Sequence, residues 1–202
     1  MIVIIDYGVG NLASVKNALD KLGVKSVISD DPKIIKKAKA LILPGVGAAG
    51  QGMKNLKEKG LDKTIIDEIN KSKPFLGICL GMQLLFESSE EGNVKCLGIL
   101  KGFVKKFKIE KKIPQIGWNQ VKAVKQTQLL KGISDDYFYY VNSYYCLPED
   151  KEVIAGLTTY GEEFAGVVTR DNIFGVQFHP ERSGKAGFQL LENFIKGVNN
   201  AS

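Results

Sequence analysis

The sequence predicts an α/β fold with a mostly parallel central sheet, extended in its C-terminal half by antiparallel strands. Three observations carry this reading. Short apolar runs alternate with helix-patterned stretches up to Glu87, strand-like pieces dominate from Leu97 to Phe178, and an amphipathic stretch closes the chain. The 202 residues suit one domain with a sizeable core, and no linker, repeat or low-complexity segment divides them, so residues 1–202 read as a single domain.

The segment "IVII" (2–5) is an unbroken apolar run, as in a strand buried on both faces. In "NLASVKNALDKLG" that follows, Asn11 is an N-cap residue, Leu12, Val15, Leu19 and Leu22 fall on one helical face, and Gly23 stops the helix. Residues 24–29, "VKSVIS", form a second strand, and "DPKIIKKAK" a short helix opened by Asp31-Pro32. "ALIL" (40–43) is a third strand leading into the glycine-rich loop "PGVGAAGQG". Residues 61–71 are amphipathic through Ile65, Ile66 and Ile69; "PFLGI" (74–78) is a fourth strand, and Leu80 to Glu87 a helix. Beyond Leu97, "GFVKKFKI", "NQVKAV", "YFYYVNSYYC", "EVIAGLTTY", "FAGVVT" and "NIFGVQF" read as hairpins or edge strands added to the same sheet. "KAGFQLLENFIKGV" (185–198) is the closing helix.

Composition narrows the function. Hydrophobic residues make up 44% and charged residues 25%, as in a soluble globular protein. No apolar run approaches the length of a membrane span, and the start is too short in apolar residues for a signal-peptide core, so the expectation is a cytoplasmic protein without a membrane partner. The net charge is +6, yet of the 28 basic residues only Arg170 and Arg182 are arginine. Arginine is the usual reader of phosphate and guanine, so scattered lysines read as solvated faces and no nucleic-acid partner is expected. Cys79, Cys96 and Cys146 are odd in number and widely spaced, which argues against a disulfide framework or a zinc site, and a single histidine in the chain excludes metal sites built on several imidazoles; no metal or cofactor is expected.

Chemistry concentrates at Gly77-Ile78-Cys79-Leu80-Gly81, a thiol on the corner between a strand and a helix. A nucleophile elbow needs small residues two before and two after the nucleophile, because the backbone doubles back there. The helix behind the corner aims free N–H groups at the sulfur and favours its reactive anionic form. Cys96 and Cys146 lack this setting and read as core thiols. The one histidine, His179, lies in "GVQFHPERS" at the tip of a strand-like run. Glu181, two residues on, projects to the same side of an extended segment and can fix the ring's tautomer. Cysteine, histidine and glutamate on an α/β sheet can carry acyl transfer through a thioester, with the Leu80 N–H and an N–H of the loop at residues 44–50 as oxyanion donors.

The set "DYGVGNLASVKNAL", "LPGVGAAGQGM", "GICLGMQLLFESSEEG", "IGWNQV", "YGEEF" and "QFHPE" resembles the class I glutamine amidotransferases, and among them the glutaminase subunits of imidazole glycerol phosphate synthase. The motifs run in that family's order and cover nearly the whole chain. The resemblance implies the family's three-layer, flavodoxin-like α/β fold. It implies a glutaminase: Cys79 attacks the side-chain amide carbon of glutamine, His179 protonates the departing ammonia, Glu181 orients His179, and water hydrolyses the thioester. It places Val46, Gly47 and Leu80 at the oxyanion hole, and Gly45, Gly47, Gln83, Ser143 and Tyr144 at the glutamine site. It implies a heterodimer with a (β/α)8-barrel cyclase subunit that uses the ammonia in histidine synthesis, with Asn11, Trp118, Tyr139 and Arg182 near the interface. Trp118 reads equally as core; for Arg182 an ordinary solvated side chain is the lesser reading.

Two departures are visible. Asn142-Ser143-Tyr144 stands where the family usually has His-Ser-Tyr or His-Thr-Tyr, and an alanine pair occupies "GVGAAG" where a larger residue is common. A paralogue feeding a related cyclase in another pathway, such as amino-sugar synthesis, stays open, as do a peptidase, a γ-glutamyl hydrolase and a subunit that has lost catalysis. "GVGNLA" (8–13) with Asp30 also fits a dinucleotide-binding fingerprint after a first strand.

Overall fold

In the computed structural model, which describes residues 1–200, the first half holds strands β1 (Ile2–Ile5), β2 (Ser26–Ser29), β3 (Ala40–Gly45) and β4 (Phe75–Cys79). Between them run helices α1 (Leu12–Lys21), α2 (Pro32–Lys37), α3 (Ala49–Glu58) and α4 (Leu61–Asn70). The expected caps are in place: Asn11 Oδ1 accepts from the Ser14 N–H at 3.4 Å, and Asp31 Oδ1 from the Lys33 N–H at 2.8 Å. After the short helix α5 (Leu80–Gln83) come β5 (Ser88–Ser89), β6 (Val94–Lys95), β7 (Gly102–Lys106), β8 (Gln115–Ala123), β9 (Asp135–Asn142) and β10 (Tyr144–Pro148). Strands β11 (Ile154–Tyr160), β12 (Glu162–Arg170) and β13 (Ile173–Val176) follow, then the closing helix α6 (Gly184–Asn200).

Nine strands form one sheet in the order β2-β1-β3-β4-β13-β12-β11-β8-β9. From β2 to β13 every pairing is parallel; from β13 to β9 every pairing is antiparallel. Alternation along the buried strands divides the core into two. Ile2, Ile4, Ile42, Leu76 and Ile78 face α1 and α6 through Val15, Leu19, Leu190 and Phe194. Val3, Ile5, Leu41, Leu43 and Phe75 face the other way, onto Ile35 of α2, Met53 and Leu56 of α3 and Ile65 and Ile69 of α4. These are the three expected layers, each fully buried aliphatic contributing about 1.5–3 kcal/mol of transfer free energy.

Three expectations need correction. The loop "PGVGAAGQG" gives way to helix α3 already at Ala49. Ala48, its N-cap residue, supplies no side-chain cap; Glu91, distant in sequence, caps it by accepting from the Ala49 N–H at 2.8 Å. The helix after Cys79 stops at Gln83 rather than Glu87, because Leu84, Leu85 and Phe86 are drawn into the core and their carbonyls accept from the N–H groups of Leu97, Ile99, Leu100 and Gly98. A single turn carries much less dipole at the sulfur than the longer helix expected. Finally, "YFYYVNSYYC" is not one strand. The chain changes sheets at Ser143: β9 pairs with β8 in the large sheet, while β10 pairs with β7 in a second sheet ordered β10-β7-β5-β6.

Candidate active site

Cys79 ends β4 in a backbone conformation (φ 53°, ψ −108°) that only a few non-glycine residues tolerate. The turn around it is tight for the reason the glycines suggested. A Cβ on Gly77 would lie 2.6 Å from the Gly81 carbonyl oxygen, and one on Gly81 would overlap the Leu43 carbonyl oxygen. β3 and β4 are parallel and in register, which places Gly45 beside Cys79 and the segment Val46–Ala48 over the corner. Gly45 admits no side chain, because a Cβ there would meet the buried Tyr7 hydroxyl and Leu80.

β13 runs parallel to β4 on its other side, with Ile78 opposite Val176, so the residues just beyond β13 come level with the corner. There His179 is 5% exposed, and its Nδ1 lies 2.9 Å from Glu181 Oε1. The turn is pinned to β9: the His179 N–H donates to the Tyr139 carbonyl at 2.9 Å, and the Tyr139 N–H to Ser183 Oγ at 2.9 Å. The antiparallel half of the sheet therefore curls back over the carboxyl ends of β4 and β13, and the Val141 carbonyl on β9 lies 3.8 Å from Cys79 Sγ. Burial pulls the His179 imidazole pKa down, but hydrogen bonds and charge from Cys79 and Glu181 outweigh it and raise it to about 10. The other thiols are set apart: burial pushes Cys96 up to about 11 and Cys146 well above the ordinary thiol range. Cys146 is the core thiol expected, whereas Cys96 is only half-buried.

A cavity of about 330 Å³ opens beside Cys79. Val46, Gly47, Leu80, Gln83, Ser143 and Tyr144, all named from the sequence, line it together with Cys79; Gly45, His179 and Glu181 are not among the lining residues. The sheet change at Ser143 makes one side of the cavity, where Asn142 donates from Nδ2 to the Tyr144 carbonyl at 3.0 Å and leaves its buried Oδ1 without a hydrogen bond. Sequence reasoning missed two residues here. Glu91, the one carboxylate among the described residues that line the cavity, was hidden in the charge-rich run "ESSEEG". Gln177 is completely buried and donates from Nε2 to Cys79 Sγ at 3.6 Å; it stood inside the quoted "QFHPE" without a role.

The four residues expected at a partner surface separate into two groups. Trp118 is 57% exposed, so it is not core; its ring meets Tyr139 edge-on at 6.1 Å, and the Arg182 guanidinium lies 4.6 Å over the same Tyr139 ring. Ile116 and Tyr137 extend this exposed apolar patch on β8 and β9. Asn11 serves as the cap of α1, which packs against the Pro180–Arg182 turn.

The dinucleotide fingerprint has a local explanation. Gly8 bonds back to Asp6, a Cβ on Gly10 would press on the Pro44 carbonyl at 3.2 Å, and Asp30 is ion-paired with Lys59 at 2.6 Å. No helix among the described residues is long and apolar enough to cross a membrane.

Comparison with known proteins gives the family. Residues 3–198 match the family model for glutamine amidotransferase class-I. An imidazole glycerol phosphate synthase subunit HisH of Desulfitobacterium hafniense is 51% identical, over 98% of this chain and 95% of its own length. A HisH subunit of Methanococcus maripaludis is 50% identical, over 97% of this chain and 99% of its own. The PurLQS structure from Thermotoga maritima superposes with a TM-score of 0.78 at 20% identity, covering 98% of both chains, a likeness of fold. The chain belongs to the class-I glutamine amidotransferase family, and within it to the imidazole glycerol phosphate synthase HisH subunits.

Proposed function

We propose that the chain is the glutaminase subunit of an imidazole glycerol phosphate synthase, hydrolysing glutamine through a thioester on Cys79 and passing the ammonia to a cyclase subunit in histidine synthesis. The observation that supports it most is the strained Cys79 corner set one strand away from a histidine paired to a buried glutamate.

With Nδ1 engaged by Glu181, the other ring nitrogen serves Cys79. A pKa of about 10 means that His179 carries the proton at neutral pH, ready for the leaving nitrogen. Sγ attacks the amide carbon; the Leu80 N–H, at a helix start where it has no intrahelical partner, and the Val46–Gly47 backbone receive the developing oxyanion. The C–N bond breaks as His179 gives up its proton, and ammonia leaves. Neutral His179 then takes a proton from water, the hydroxyl adds to the thioester, and the C–S bond breaks to free glutamate and restore Sγ. In this reading Glu91, which lines the cavity, meets the α-ammonium of the substrate glutamine, and Gln83, Ser143 and Tyr144 hold the rest of it.

Ammonia released into water becomes mostly ammonium, which is no nucleophile, so the product has to leave through a sealed contact. The exposed patch of Trp118, Tyr139 and Arg182, beside the His179 turn, is the surface we assign to a (β/α)8-barrel cyclase subunit. Glutamate release from glutamine, measured on the chain alone and then with the organism's own cyclase subunit and its ribotide substrate, tests the assignment. A large rise that vanishes in Cys79→Ala is expected. No rise with that cyclase, but a rise with another partner, turns the reading to a paralogue.

A further inference from the structure

We propose that Gln177 is a catalytic residue of this site: its side-chain N–H is a fixed donor to Cys79 Sγ that stabilises the sulfur while its proton resides on His179. The proposal rests on the thioester reading and deepens it.

The donor's identity follows from the hydrogen-bond network. The Tyr144 backbone carbonyl can only accept, so the atom of Gln83 that lies 3.1 Å from it is Nε2. The same Nε2 lies 3.1 Å from the amide of Gln177, and a donor there requires Gln177 Oε1. That leaves Gln177 Nε2 facing Sγ at 3.6 Å. One backbone carbonyl thus sets two amide orientations in series and ends in a donor aimed at the nucleophile. The Gln177 backbone is fixed as well, its N–H donating to the Gly166 carbonyl at 2.9 Å.

The second group on the sulfur, the Val141 carbonyl at 3.8 Å, is an acceptor. It suits a thiol and repels a sulfur that has surrendered its proton. Gln177 balances it. Its bond is strongest when Sγ is negative: it holds the sulfur against return of the proton from His179, and it draws the sulfur off as the C–S bond of the thioester breaks. It weakens when Sγ is acylated and neutral. Completely buried, the amide has no water to compete with. A hydrogen bond to a charged group contributes about 1.5 kcal/mol or more, which is roughly tenfold in rate.

The test is carried out on the full chain with its cyclase subunit. Gln177→Met keeps the volume and removes the donor; Gln177→Glu keeps the shape and places a carboxylate against the sulfur. The expected result for Gln177→Met is a fall of about tenfold in kcat, a KM for glutamine within twofold, and a matching fall in the rate at which iodoacetamide alkylates Cys79 at neutral pH. Gln177→Glu is expected to be slower still. Alkylation and kcat at wild-type rates in a folded Gln177→Met overturn the proposal, and so does a loss confined to KM. Should both variants fail to fold, the side-chain amide nitrogen resonance of Gln177 in the wild-type chain is read instead. It is expected to shift when Cys79 is alkylated, and absence of a shift overturns the proposal. Failure of the thioester reading is separable: Cys79→Ala then still releases glutamate.

Discussion

Replacing Gly77 by alanine adds one methyl group at the point where the elbow closes. The new Cβ would lie 2.6 Å from the Gly81 carbonyl oxygen, 2.7 Å from its carbonyl carbon and 2.8 Å from the Met82 nitrogen. All three are backbone atoms, so no side chain can swing away. Ordinary contact begins near 3.4 Å, and the corner has to open by about 0.8 Å. Opening carries Cys79 and the Leu80 N–H away from His179, and displacements of about 1 Å at a reacting centre cost on the order of a hundredfold in rate. Overpacking of this kind destabilises by about 1–3 kcal/mol, which for a chain of this size lowers Tm by roughly 2–12 °C. Gly50→Ala is the control, since that glycine lies in helix α3 with open space where its Cβ would go; its stability is expected within about 1 kcal/mol of wild type. Glutamate release with the cyclase subunit present and thermal unfolding followed by circular dichroism give both numbers. A Gly77→Ala chain that melts with the wild type and keeps more than half its kcat would refute the steric account of the corner.

Three further outcomes follow from the site. His179 is held protonated up to about pH 10, above its ordinary 6.5, so its pairing stabilises the fold fully below about pH 6.5, and the contribution is lost as the pH rises through about 10. The Tm difference between wild type and Glu181→Gln should therefore shrink steadily from pH 6 to pH 10, with kcat lowered by about a hundredfold or more at neutral pH; a difference that grows with pH contradicts the pairing. Trp118→Ala should leave Tm almost unchanged, since the side chain is 57% exposed, yet weaken cyclase binding by about 2 kcal/mol, roughly thirtyfold by titration calorimetry. Iodoacetamide should modify Cys79 well before Cys96 and Cys146, whose thiols burial pushes up; peptide mapping reads the order, and equal labelling of the three contradicts it.

Much of this molecule is written locally. The unbroken run Ile2–Ile5, the caps Asn11 and Asp31, and Gly77 and Gly81 about Cys79 each act within a few residues of themselves, and the structure keeps them as read. What escaped depends on partners far along the chain. Helix α3 is capped by Glu91 rather than by its own neighbours, and its glycines at 50 and 52 look like loop until Gly52 is seen against Leu80, Leu84 and Tyr7. The break at Ser143 sits in a continuous run of strand formers; only pairing with β8 on one side and β7 on the other divides it. The apolar stretch Leu84-Leu85-Phe86 has the composition of a helix, but the loop at residues 97–100 takes its carbonyls. Gln177 acquires its part through Gln83, 94 residues away, a link with no local signal.

The proposed reaction turns on a covalent bond between the glutamyl group and Cys79. Mixing the chain and its cyclase subunit with glutamine, quenching in acid within the first turnovers and measuring the mass of the Cys79 peptide addresses that bond directly. The expected result is a peptide heavier by one glutamyl group, absent from Cys79→Ala and from samples left to exhaust the glutamine. Glutamate released while the Cys79 peptide keeps its original mass at every time point, or an adduct on another residue, would contradict it.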